Sequence, residues 1–306
     1  MKDVFIVEAV RTAIGSFGGA FAATGAVDLG AAVVKALLER TKVGAAEVDE
    51  IVLGCVLQAG LGQNPARQVL VKAGLPVERT AMTVNMVCGS GLRAVAAAAQ
   101  AVKAEDAALV IAGGTENMTQ APYLLKQARY GYRMGHGELV DSMIFEGLTD
   151  IFNGYHMGIT AENLAAKYGL SREAQDAFAA ASQNKTEKAI AAGRFKDEIV
   201  PVYLPQKKGD PIVVDKDEFP RPGVTAEALG KLRPAFKPDG TVTAGNASGI
   251  NDGAAAVMVA DQEEMERHGL EPLARIASYG WHGCDPSIMG IGPVEAVRLA
   301  QEAARR

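Results

Sequence analysis

TVNMVCGSGLRAV, from Thr83 to Val95, joins an apolar, β-leaning run to a helix-leaning one through a lone cysteine. Gly89, Ser90 and Gly91 follow Cys88 directly, so the chain can turn sharply there and a helix can begin at once. A cysteine in that position admits two readings. The free N–H groups and dipole of a helix N-terminus favour the thiolate, which is the reactive form, and turn amides can hold an oxyanion. Equally, cysteine is often buried and inert, and a small side chain suits a crowded strand–helix junction.

On either side of this stretch, strand and helix patterns alternate. DVFIVEA predicts a strand, DLGAAVVKALLER a helix with Asp28 as its cap, VDEIVLGCVL a strand, and NPARQVLVKAG a helix stopped at Gly74. AMTVNMV is then a strand, GSGLRAVAAAAQAVKA a helix and AALVIAGGTEN a buried strand. That alternation predicts an α/β sheet with helices packed on its faces. From about Met118 to Lys237 the chain turns polar and proline-containing, as in YLPQKKGDPIVVDKDEFPRPG. One clear helix lies inside this long insertion, SREAQDAFAAASQNKTEKAIAAG, with Ser171 as cap and Gly193 at its end. The sheet pattern resumes at GAAAVMVADQEEMERHG. EPLARIASYGWHG then predicts a strand and loop, and GPVEAVRLAQEAARR a helix, which repeats the opening order.

The totals set limits on what the chain does. Its 306 residues suffice for one large or two moderate domains with a sizeable core. With 48% hydrophobic and 22% charged residues it has the profile of a soluble globular protein. A formal charge of −5 argues against a broad nucleic-acid surface. No segment approaches the roughly 20 unbroken apolar residues that span a bilayer. MKDVFIVEAVRT carries Asp3 and Glu8 and no small-residue cleavage site, so it reads as a first strand and not a leader. Cys55, Cys88 and Cys284 lie far apart, forming neither a disulfide framework nor a CxxC metal pair. These features predict a reduced, cytoplasmic protein with no metal.

NMVCGSGLRAV resembles the nucleophile motif of the thiolases, acyl-CoA acyltransferases that form or cleave 3-ketoacyl-CoA. The likeness runs along the whole chain. EAVRTAIGSFGGAF resembles the family's opening segment, GQNPARQ an interface segment, and GGTENM the strand end after the nucleophile helix. GLTDIFNGYHMGITAENLA and RPAFKPDGTVTAGNASGINDGAAAV resemble the loop domain and the return from it, and MGIGP the entry to a C-terminal half. Several spaced motifs in one order are specific where a lone CGSG is not.

This resemblance implies a thiolase-like fold of layered αβα halves with a loop-domain insertion. The implied organisation is an N-terminal half at 1–121, completed by 249–270, a CoA-binding loop domain at 122–248, and the start of a C-terminal half at 271–306. It implies that Cys88 takes the acyl group as a thioester and that its backbone N–H is one oxyanion donor. His156 matches a histidine beside the pantetheine and thioester, Ser248 a serine bonded to the pantetheine arm, and Arg221 a basic residue near the nucleotide phosphates. Leu148, Met157, Phe236 and Met289 match apolar residues around the pantetheine and acyl pocket. By themselves these are weak signals: a loop histidine or arginine is usually solvated, NASG satisfies turn chemistry, and four apolar residues are ordinary core.

The resemblance also implies coenzyme A thioesters as substrates, with no permanently bound cofactor. Acetyl-CoA, acetoacetyl-CoA and CoA are the expected partners, in a homodimer or homotetramer away from membranes and nucleic acid. The YHMG pair and Met289 resemble short-chain biosynthetic members. The family carries three further blocks in its C-terminal half, N-E-A-F, G-H-P and C-x-G, and none occurs here. His136, His268 and His282 stand in other contexts, and Cys284, in WHGCDPS, precedes MGIGP. The expectation is therefore an abbreviated second half and impaired condensation, because the activating histidine and second cysteine are missing. The alternative is a non-catalytic CoA-binding or assembly subunit that needs a partner chain.

Overall fold

The computed structural model describes residues 2–305. Seven strands form one mixed sheet: β1 (Val4–Arg11), β2 (Gly15–Ser16), β3 (Glu50–Gly54), β4 (Thr80–Val84), β5 (Leu109–Asn117), β6 (Asn251–Asp261) and β7 (Ala274–Arg275). The helices that matter to the site are α1 (Ala26–Thr41), α2 (Pro65–Ala73), α3 (Ser90–Lys103), α4 (Met157–Tyr168) and α5 (Arg172–Ala191).

The sheet order is β7-β1-β6-β5-β3-β4, with β2 added to the start of β6. β5 pairs in parallel with β3, and β3 in parallel with β4; β6 runs antiparallel to both β5 and β1. β5 sits centrally because its first six residues, LVIAGG, are apolar or small on both faces, as a strand covered on both sides must be. On one face Leu109, Ile111 and Met258 meet Leu29, Val33, Val34 and Leu37 of α1 and Leu70 of α2, all fully buried. Val110 and Ala112 alternate to the other face, where α3 packs against β5.

Local chemistry sets the ends of these elements. Asn64 caps α2 by accepting from the Arg67 N–H at 3.2 Å, and Gly74 closes it at φ +90°, donating to the carbonyls of Leu70 and Val71. Asp28 is not the cap of α1. The helix begins at Ala26 after Gly25, which has no side chain to cap with, and this leaves Asp28 in the first turn, where it pairs with Lys72. β3 and β4 are also shorter than their apolar runs. β4 stops at Val84 because Asn85–Gly89 fold into a tight turn before α3.

The chain divides into two compact units. The first, Met1–Met143, Asp197–Glu218 and Asn251–Ala277, holds the sheet. Part of the polar middle run belongs here: the Val200 N–H donates to the Arg11 carbonyl at 2.8 Å, and Val200, Val202 and Val214 enter the core. The second unit, Ile144–Lys196, Phe219–Ile250 and Ser278–Arg306, is built on α4 and α5. Ser171 caps α5, its hydroxyl accepting from the Ala174 N–H at 3.2 Å, and Gly193 follows the helix at φ +68°. Glu162 of α4 is 2% exposed. Its carboxylate accepts from the Thr241 and Val242 N–H groups, each at 2.8 Å, and from the Thr241 hydroxyl at 3.0 Å. Among the described residues no helix is long and apolar enough to cross a membrane.

Candidate active site

Cys88 stands in the turn between β4 and α3, and it is exposed. The buried, corner-filling reading therefore does not describe it. The residue before it, Val87, has φ +48°. A β-branched side chain in the left-handed region costs on the order of 1–3 kcal/mol, so something must hold it there. The Val87 N–H donates to Asn85 Oδ1 at 2.9 Å, and its carbonyl accepts from the Ser90 hydroxyl at 2.6 Å and the Ser90 N–H at 3.0 Å. The same hydroxyl accepts from the Met86 N–H at 2.8 Å. Behind the turn, Gly54 lets α3 come close to the end of β3, since a Cβ there would lie 2.6 Å from the Gly91 backbone nitrogen.

Cys88 lines a cleft of about 350 Å³ together with Arg11, Val87, Glu116, Asn251 and Asp252. The Arg11 guanidinium is paired within the fold, at 2.7 Å to both Glu198 and Asp217. Burial pushes the Asp217 carboxyl up, but Arg11 and the Ile14 N–H outweigh it and hold the group below its ordinary range. Glu116, near the end of β5, accepts from the Val56 and Leu57 N–H groups at 2.8 and 2.9 Å, and from the Cys55 thiol at 3.7 Å. Burial raises the Glu116 carboxyl against those two amides. The Cys55 thiol is itself pushed up, by burial first and then by the Glu116 carboxylate, so it stays protonated and inert. Among the described residues no side chain hydrogen-bonds to Cys88 Sγ.

The other seven expected residues all lie in the second unit. His156 is the N-cap of α4: its Nδ1 accepts from the Gly158 N–H at 3.0 Å, so the neutral ring carries its proton on Nε2. Its ring stacks on Phe236, with centroids 4.7 Å apart and planes 21° apart. Gly158 makes room for that stack, because a Cβ there would meet the Phe236 ring at 2.2 Å. Burial holds the His156 pKa below 6.5. The Met157 N–H donates to the Leu148 carbonyl at 2.8 Å, which brings those two residues together. Met289 lies in the turn Pro286–Ile291, tied to α4 by Asn163 Nδ2 donating to the Ser287 carbonyl at 2.9 Å. Arg221 is exposed, its backbone N–H donating to Gln183 of α5 at 3.0 Å. Ser248 is exposed in the segment that follows the Glu162-bound residues Thr241 and Val242.

Three residues around the turn escaped the sequence reading: Asn85, Ser90 and Glu116. Asparagine two residues before a turn residue is a known backbone-bonding signal and stood in plain view. Glu116 gave none, since its partners at Val56 and Leu57 are distant in sequence.

The model of the thiolase N-terminal domain matches residues 4–263. The chain belongs to the thiolase family, a class of acyltransferases that act on coenzyme A thioesters without a permanently bound cofactor. Among individual proteins, it is 61% identical over 304 residues to an acetyl-CoA acetyltransferase of Pseudomonas aeruginosa, covering 99% of this chain and 77% of that one. A Chromobacterium violaceum acetyl-CoA acetyltransferase is 60% identical over 302 residues, with coverage of 99% and 77%. The crystal structure of the Bacillus anthracis acetyl-CoA acetyltransferase superposes with a TM-score of 0.95 at 42% identity, covering all of this chain and 77% of that one.

Proposed function

We propose that this thiolase transfers acetyl groups between coenzyme A thioesters, with Cys88 as the acyl acceptor. The observation that carries this reading is the exposed Cys88 on a turn whose preceding residue is held at φ +48°. The Cys88 thiolate attacks the acetyl-CoA carbonyl carbon, the oxyanion is held by turn amides including that of Cys88, and CoA thiolate leaves. A second acetyl-CoA gives up an α-proton to a base, and its enolate carbon attacks the acetyl-cysteine carbonyl, expelling the Cys88 thiolate and giving acetoacetyl-CoA; the reverse is thiolysis. His156, as a neutral Nε2–H donor, suits a thioester or amide carbonyl. Leu148, Met157, Phe236 and Met289 are assigned to the pantetheine and acyl pocket, Ser248 to the pantetheine arm and Arg221 to the phosphates. The names of the relatives support acetyl-CoA as donor.

The organisation that accompanies this reading is an N-terminal half at 1–121 with 249–270, a loop domain at 122–248 and a C-terminal segment at 271–306. A cytoplasmic homodimer or homotetramer is part of the same proposal. Slow condensation is part of the same proposal, because attack needs a base and the family's N-E-A-F, G-H-P and C-x-G blocks do not occur in these 306 residues. The test is intact-mass analysis after mixing with acetyl-CoA, alongside an acetoacetyl-CoA assay. An acetyl adduct on Cys88 that is absent in Cys88→Ala, with little acetoacetyl-CoA formed, supports the proposal. Condensation at an ordinary enzymatic rate overturns the impairment. CoA binding with no adduct overturns the nucleophile and favours a binding subunit.

A further inference from the structure

The turn before Cys88 holds more side-chain bonds than a strand–helix connection needs. Val87, a β-branched residue, sits at φ +48°, and two side chains bind its backbone from opposite sides. Asn85 Oδ1 takes the Val87 N–H at 2.9 Å, and the Ser90 hydroxyl donates to the Val87 carbonyl at 2.6 Å. Ser90 is 4% exposed and its hydroxyl also accepts from the Met86 N–H at 2.8 Å, so both of its hydrogen-bonding roles are used on the turn. Asn85 Nδ2 reaches back to the Val56 carbonyl at 3.4 Å. The Val56 N–H is in turn fixed by Glu116 Oε2 at 2.8 Å. The turn is thus tied to the ends of both β3 and β5.

We propose that Asn85 and Ser90 are positioning residues that lock Val87 in the left-handed region and so aim the Cys88 thiol into the cleft. The inference rests on the reading of Cys88 as nucleophile. Without either side chain, Val87 relaxes toward negative φ, the peptide before Cys88 rotates, and the thiol leaves its place at the N-terminal end of α3. Neither side chain hydrogen-bonds to Cys88 Sγ; both act through Val87.

A thiol-reactivity experiment separates this role from general stability. Iodoacetamide alkylation is followed by peptide-resolved mass spectrometry over a range of pH, with Cys284, exposed and outside the sheet unit, as the reference in the same sample. Rates are compared on the high-pH plateau, where the thiol is fully ionised. Asn85→Ala and Ser90→Ala are each expected to change the Cys88 to Cys284 ratio by about tenfold, the population of a strained left-handed valine left without its clamp. Asn85→Asp keeps the acceptor for the Val87 N–H and is expected to restore the ratio.

Val87→Gly supplies the decisive background, because glycine takes positive φ without strain. In that background, Asn85→Ala is expected to change the ratio by no more than about twofold. An unchanged ratio in Asn85→Ala and Ser90→Ala overturns the proposal, and so does an equal effect of Asn85→Ala with valine and with glycine at position 87. Failure of the parent reading is seen separately, as absence of acetylated Cys88 in the unaltered chain treated with acetyl-CoA.

Discussion

Glu162 offers the sharpest test of how the second unit holds its expected CoA residues in place. Its carboxylate links α4, capped by His156, to the backbone at Thr241 and Val242 that leads to Ser248. Glu162→Ala leaves the buried Val242 N–H and the part-buried Thr241 N–H without an acceptor, a cost of about 2–6 kcal/mol at about 1–3 per unsatisfied group. Glu162→Gln is gentler. Its single amide oxygen can still take both N–H groups, but its NH2 replaces the oxygen that accepts from the Thr241 N–H at 2.9 Å and the Thr241 hydroxyl at 3.0 Å, so one acceptor and the charge assistance are lost, about 1–2 kcal/mol. The sign with pH follows from the same bonds. Burial pushes the Glu162 pKa up, but the Val242 and Thr241 amides outweigh it and the group titrates below 4.5. Its contribution is therefore complete above 4.5 and disappears as pH falls through the lower folded-state value. Amide hydrogen exchange at Thr241 and Val242 reads the effect locally, and urea unfolding reads it globally. Protection should fall steeply in Glu162→Ala and slightly in Glu162→Gln, whose stability should lose the acid-range component seen in the parent. Equal protection in parent and Glu162→Ala refutes the account.

Gly54→Ala places a methyl 2.6 Å from the Gly91 backbone nitrogen, which cannot rotate away; destabilisation of about 1–3 kcal/mol, with altered Cys88 alkylation, is expected in thermal unfolding and mass-spectrometric assays. Gly158→Ala drives a methyl into the Phe236 ring, so the stack on His156 opens and CoA binding, read by calorimetry, weakens at least as much as in Phe236→Leu. The His156 pKa lies below 6.5 in the folded chain, so between those two values the unfolded chain binds the extra proton and stability falls as pH drops through that window. An NMR titration of the His156 ring checks the direction, and Phe236→Ala, which exposes the ring, should move its midpoint back toward 6.5.

The sequence by itself determined the sheet segments and the helix stops, and it singled out Cys88 as the proposed nucleophile. β5 is legible because two-sided burial demands an unbroken apolar or small run, and α1 because Leu29, Val33 and Leu37 recur at helical spacing. Gly74 and Ser171 are legible because caps are local chemistry, readable within three or four residues. Asp28 misled for the same reason: a good capping residue stood near a helix start that Gly25 had already set. Tertiary structure alone decided what sequence distance hides. That the run near Val200 returns to the edge of β1, that Glu116 binds the amides of Val56 and Leu57, and that Glu162 holds Thr241 all depend on pairings across long stretches of chain. The same is true of the turn at Cys88. CGSG in the sequence permits a sharp bend, but only the folded chain shows Val87 at positive φ, with the side chains of Asn85 and Ser90 bonded to its backbone.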